Sequence, residues 1–160
     1  MKKYTFFLNG PFSQWYYSPF TIDDVTYTSA EKYMMAKKAL VFKDIETYLK
    51  IMATDNPKEQ KQYGREVKNF NPEIWNSVCK KHVYDANYAK FTQNKKLYTE
   101  LMATSGTILV EASPTDKIWG CGLVESDPNI NDEKNWTGTN WLGEILTNLR
   151  EDLFLSIKNN

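Results

Sequence analysis

Cysteine and histidine are scarce here, and their scarcity sets the first limits. Cys79 and Cys121 stand far apart with no CxxC, and His82 is the only histidine among 160 residues. That is too few ligands for a zinc site and too few thiols for a disulfide framework. No metal and no cofactor is therefore expected, and a reducing cytoplasm is the expected compartment. An excess of charge is also missing, since Lys plus Arg and Asp plus Glu both count 20. Without a broad basic field the chain has little hold on a bare phosphate backbone, so strong binding to duplex nucleic acid is not expected and any such contact should be local. Long apolar runs are absent as well. The stretch in MKKYTFFLNGPF has about five apolar residues, short of the roughly 7 to 15 in a signal-peptide core, and nothing reaches the ~20 of a membrane span. Neither a leader nor a membrane partner is expected. No glycine-rich dinucleotide fingerprint and no phosphate loop occurs, which argues against a redox use of NAD. No repeat or linker divides the chain. One domain over residues 1–160, with its core at about 6–155, and a monomeric state are the expectations at this length.

Aromatic residues are plentiful: 5 Trp, 10 Tyr and 8 Phe. They suit burial first and stacking on a base second. Residues 4–8 (YTFFL), 25–28 (VTYT) and 107–112 (TILVEA) read as short strands by their β-branched and aromatic content. Thr28-Ser29-Ala30-Glu31 reads as a capping box with Thr28 as the cap, opening a helix to about Phe42. Asp44 can cap a short helix that follows. Asn56-Pro57 and Asn71-Pro72 each place a cap before a proline suited to the first helical position. Behind Pro72, the residues Trp75, Val78, Cys79, His82, Val83 and Ala86 form one stripe, and Leu142, Ile145, Leu146, Leu149 and Leu153 form another near the C-terminus. The predicted class is mainly α (α+β), a helical domain with a few short strands.

Two places carry possible chemistry. Glu31 and Lys38 are seven residues, two helical turns, apart, so they share a face with Met34 and Met35. Glu31 is either a capping-box acid or a carboxylate aimed at a ligand. Lys38 is either a solvated lysine beside Lys37 or a buried amine whose pKa falls far enough for it to act as a nucleophile. The second place is E-A-S-P-T-D-K-I-W-G-C-G at 111–122, where Asp116, Trp119, Gly120 and Gly122 crowd into one loop. An acid, an indole and bare backbone suit a flat or sugar-like ligand, and a packed turn has the same composition.

Six blocks together carry a resemblance. F-S-Q-W at 12–15, Y-T-S-A-E-K-Y-M-M-A-K-K-A at 27–39, Y-G-R-E-V at 63–67, A-K-F at 89–91, L-V-E-A-S-P-T-D-K-I-W-G-C-G at 109–122 and W-T-G-T-N-W-L-G at 136–143 resemble, in order, the YbiA-like family, also called the NADAR (NAD and ADP-ribose) superfamily. The resemblance implies a mainly helical fold and cleavage of N-glycosidic bonds to ribose. It further implies that Glu31, Lys38 and Asp116 are catalytic. Trp119, Gly120, Ser13, Trp15, Arg65, Trp75, Glu111 and Asn140 are then candidates for substrate binding. Arg65, with Lys68 one turn on, is the implied phosphate contact, and Asn140 is alternatively a cap for the last helix. Gln14 and Met35 depart from the family, which usually has asparagine and glutamine there.

The chemistry fits those residue types. Breaking an N-glycosidic bond builds oxocarbenium-like charge on ribose, which a carboxylate stabilises while an acid protonates the departing base. Glu31 and Asp116 are the expected pair, and the Lys38 amine can trap the ring-opened sugar as a Schiff base. The implied substrate is an ADP-ribosylated guanine base in nucleic acid or nucleoside. The alternatives are a ribosylamino intermediate of riboflavin synthesis, or recognition of ADP-ribose or a related nucleotide by a module that does not turn it over.

Overall fold

Asn56 and Asn71 open helices as expected, their side chains accepting from the Lys58 N–H at 2.9 Å and the Glu73 N–H at 3.0 Å, each with proline just inside. The structure, a computed structural model, describes residues 1–160. In chain order the elements are β1 (Tyr4–Phe7), β2 (Phe20–Ile22), β3 (Val25–Tyr27), α1 (Ala30–Val41), α2 (Ile45–Met52), α3 (Pro57–Arg65), α4 (Pro72–Gln93), α5 (Lys95–Met102), β4 (Ile108–Glu111) and α6 (Trp141–Lys158). The mainly helical class is as predicted. The chain gathers into two compact units, residues 14–94 and residues 1–13 with 95–160. No helix is long and apolar enough to cross a membrane.

In the unit of residues 14–94, β2 and β3 form an antiparallel hairpin with Phe20 opposite Tyr27. Asp23 and Asp24 turn it with φ of 52° and 65°, the left-handed pair that a two-residue hairpin turn requires. β2 lies in the stretch after Ser18-Pro19, where only turn signals were evident in sequence. α1 packs against α2, α3 and α4. Ala30, Ala36 and Ala39 have no exposed surface, so small side chains let α1 run through the middle of this unit. Phe20, Tyr27 and Tyr33 form an aromatic cluster, with the Tyr27 and Tyr33 rings 4.9 Å apart.

In the other unit, β1 and β4 pair in parallel from Tyr4 and Ile108 to Phe7 and Glu111. The leucine stripe of α6 seals β4: Leu109, Leu142, Leu146 and Leu149 are fully buried. Arg150, 2% exposed, is accommodated because its guanidinium donates to the carbonyls of Thr104 at 2.9 Å and Thr107 at 2.6 Å. Cys79 and Cys121 are free and buried, each within its own unit.

Candidate active-site residues

The start of α1 is capped by Ser29, not Thr28. The Ser29 side chain accepts from the Lys32 N–H at 3.2 Å, and the Thr28 hydroxyl donates instead to Asp55 at 3.1 Å. Glu31 is therefore the second helical residue rather than the third, which is where a capping-box acid must stand. The capping explanation for Glu31 falls. Its side chain is 5% exposed, and its backbone N–H donates to the Gln14 carbonyl at 3.0 Å.

Two turns along α1, Lys38 is half-buried, with Nζ 4.4 Å from the centroid of the Phe70 ring. Burial lowers its pKa. The Glu31 carboxylate opposes that shift and the Arg65 guanidinium adds to it, so both charges act on the Lys38 amine within this unit. Arg65 ends α3 and is exposed. A carboxylate, an amine inclined to lose its proton and a guanidinium make a set that can stabilise a ribosyl cation, attack a sugar carbon and hold an anion. Trp15 is 44% exposed, with Lys61 Nζ 5.9 Å from its ring centroid.

Trp75, a candidate substrate contact, faces His82 on its own helix. It is 8% exposed and stacks on His82 with ring centroids 6.1 Å apart and planes 18° apart, which makes it part of the packing of α4. His82 is half-buried, and burial pushes its pKa below the usual histidine value.

The loop after β4 brings Asp116, Trp119 and Gly120 together, and its geometry accounts for the odd composition. Asp116 Oδ1 accepts from the N–H groups of Ile118 at 3.0 Å and Trp119 at 2.8 Å, so the carboxylate closes the turn that presents the indole. Trp119 is half-buried and meets Trp141 edge-on, centroids 5.7 Å apart. The expected use of Gly120 for close ligand approach has a competing cause. A Cβ there would stand 2.8 Å from the Asp116 carbonyl oxygen and 2.9 Å from Ser113 Cβ, so the loop's own packing demands glycine. Gly122, at φ +83°, faces Thr137 in the same way.

Glu111 ends β4, half-buried. Asn140 sits at the cap position of α6 but makes no side-chain cap bond. It is 4% exposed, and its amide bonds the β4 backbone. Ser13 lies in the turn after β1, its N–H donating to the Gly10 carbonyl at 2.9 Å.

Two residues near Glu31 and Lys38 escaped the sequence reading. Phe70, which covers the Lys38 amine, carries no local signal. Asn87 does: it interrupts the apolar row Trp75, Cys79, Val83 and Phe91 at four-residue spacing, and a polar residue in a buried row needs a partner.

Residues 5–154 match the NADAR domain. An N-glycosidase of Acanthamoeba polyphaga mimivirus is 42% identical over 146 residues, covering 88% of this chain and 86% of that protein. An N-glycosidase of Nostoc punctiforme is 30% identical over 132 residues, covering 82% and 78%. The NMR structure of the E. coli protein YbiA superposes with a TM-score of 0.82 at 28% identity, covering all of this chain and 90% of that one. The match over residues 5–154 takes in the α1 face with Glu31 and Lys38 and the Asp116 turn alike, and the chain belongs to the NADAR domain family.

Proposed function

We propose that this protein is an N-glycosidase that cleaves the bond between ribose and a nitrogenous base, and that its substrate is an ADP-ribosyl group on guanine. The observation that carries this reading is the pairing of a buried Glu31 carboxylate with the Lys38 amine on one face of α1, where burial lowers the amine's pKa. A module that only recognised nucleotide would gain from contacts and lose by burying an acid beside a reactive amine. The names of the relatives in mimivirus and Nostoc support the same chemistry.

In the proposed reaction the C1–N bond breaks and its electron pair stays on the departing base, which takes up a proton. Glu31 offsets the positive charge that gathers on the ribosyl ring. The neutral Lys38 amine attacks C1 of the sugar, its lone pair forming the new C–N bond, and loss of a proton from nitrogen with ring opening leaves an imine. Water then adds to the imine and returns free ADP-ribose and the amine. Arg65 contacts a phosphate, and the Trp15 ring is a stacking face. Asp116 holds Trp119 in place by closing its turn.

The test is to incubate the protein with ADP-ribosylated guanosine, ADP-ribosylated single-stranded DNA, an ADP-ribosyl ester on protein and a ribosylamino pyrimidine phosphate, following the release of ADP-ribose or base. Release from the guanine substrates, lost in Glu31→Gln, is the expected result. Release from the pyrimidine phosphate alone would move the chain to the ribosylamino reading. Tight binding of ADP-ribose without any release would make it a recognition module.

A further inference from the structure

Beneath the start of α1 lies a polar pair that neither packing nor the proposed chemistry uses directly. Asn87, in the middle of α4, has no exposed surface, and Gln14 is 7% exposed. Asn87 Nδ2 donates to the Val83 carbonyl at 2.8 Å and to Gln14 Oε1 at 2.9 Å. A carbonyl only accepts, so the first contact fixes which way the Asn87 amide faces, and the second then fixes Gln14. That orientation leaves Gln14 Nε2 and Asn87 Oδ1 buried without a hydrogen-bond partner. Two orphaned buried polar atoms cost stability, and an apolar pair of the same shape would avoid the cost. A buried polar pair that costs stability specifies one arrangement of the segments it joins.

That arrangement extends to the start of α1. The backbone carbonyl of Gln14 accepts the N–H of Glu31 at 3.0 Å. A first-turn N–H has no partner inside its own helix, so whatever accepts it sets where the helix start sits. We propose that Asn87 is a positioning residue for the reaction: by holding the Gln14 side chain from α4, it sets the Gln14 carbonyl that anchors the Glu31 backbone, and so fixes the carboxylate relative to Lys38. The inference rests on the N-glycosidase reading for its kinetic consequence but not for its geometric one. A carboxylate that must meet a developing charge tolerates little drift. The buried hydrogen bond between the two carboxamides, spanning 73 residues, connects Gln14 to α4, the helix that packs against α1.

Two variants test this. Gln14→Leu with Asn87→Leu replaces both amides by apolar groups of similar size, a change that leaves stability nearly intact. Asn87→Asp keeps the shape but lacks the two amide hydrogens, so it cannot make both bonds. Each is measured for melting temperature, for kcat and KM on ADP-ribosylated guanosine, and for the titration of Lys38 by NMR of lysine-labelled protein. The expected result is a folded double variant whose kcat falls about tenfold or more while KM stays within about twofold. Lys38 should also titrate lower than in the wild type, because the charge that raises its pKa is no longer held beside it. Asn87→Asp should share the kinetic effect. A folded double variant with wild-type kcat and an unmoved Lys38 overturns the proposal. So does activity that falls only in step with melting temperature while Lys38 titrates normally. If the wild type releases no ADP-ribose, the N-glycosidase reading fails separately, and the Lys38 titration still decides whether Asn87 positions Glu31.

Discussion

The carboxamide of Asn140 completes the open edge of β4: Nδ2 donates to the Leu109 carbonyl at 3.1 Å and Oδ1 accepts the Glu111 N–H at 3.0 Å. The remaining groups on that edge are taken by Thr147, whose hydroxyl accepts from the Leu109 N–H at 3.0 Å, and by Cys121, whose N–H donates to the Glu111 carbonyl at 2.8 Å. One side chain thus stands in for a strand, and it occupies a left-handed backbone position, φ 52°, that asparagine tolerates better than most residues. Asn140→Ala should lose both bonds, orphan two strand groups and strain the backbone, for a destabilisation of about 2 to 4 kcal/mol. Equilibrium unfolding in urea reads this directly. A loss below about 0.5 kcal/mol would mean that the strand edge is satisfied in some other way.

Asp116 offers a separable test of its turn-closing role. Asparagine keeps an oxygen able to accept the N–H groups of Ile118 and Trp119, whereas alanine does not. Asp116→Ala is expected to cost about 1 to 2 kcal/mol and to shift the Trp119 fluorescence toward that of a solvated indole, and Asp116→Asn should recover most of both. Equal fluorescence shifts in the two variants would remove the turn-closing role.

The charges around Lys38 make a prediction with two opposite signs. Glu31 raises the Lys38 pKa and Arg65 lowers it, on top of the larger lowering by burial. Glu31→Gln should therefore move the Lys38 titration further down, and Arg65→Met should move it back up, both read by NMR of labelled lysine. If the amine attacks in its neutral form, the alkaline rise of the rate in Arg65→Met should move to higher pH along with it. Shifts of the same sign in both variants would contradict the arrangement.

Lys90, in the A-K-F stretch, is fully buried, with Nζ 5.0 Å from the Phe91 ring centroid and 5.8 Å from that of Tyr16. Burial pulls its pKa down to about 7 from an ordinary 10.5. Between those values the unfolded chain holds one more proton than the folded one, so this group makes stability rise with pH by at most about 1.4 kcal/mol per unit. Below pH 7 both states carry the proton and the penalty for burying it is fully present. The stability difference between the wild type and Lys90→Met should accordingly shift in the wild type's favour as pH climbs from 7 toward 10, read in parallel thermal melts. A gap that does not change with pH would show that Lys90 keeps its charge in the folded protein.

Local chemistry determined much of this protein. Asn56-Pro57, Asn71-Pro72 and Asp44 mark helix starts because a cap and its amide lie within three residues, and the sequence alone carries that relationship. Helical period likewise places Glu31 and Lys38 on one face before any coordinates are known. The shift of the α1 cap from Thr28 to Ser29 shows the limit, since either hydroxyl suits the site and Asp55, 27 residues away from Thr28, accepts a hydrogen bond from the Thr28 hydroxyl. Only tertiary structure decided which long-range partner each polar group found. Asn87 meets Gln14, Asn140 bonds β4 rather than capping its own helix, Asp116 accepts from the turn it sits in, and Trp75 packs on His82. A buried donor or acceptor must be satisfied, but many residues of one type can do it. Which one does is set by the packing that brings distant segments together, and no local pattern encodes that choice.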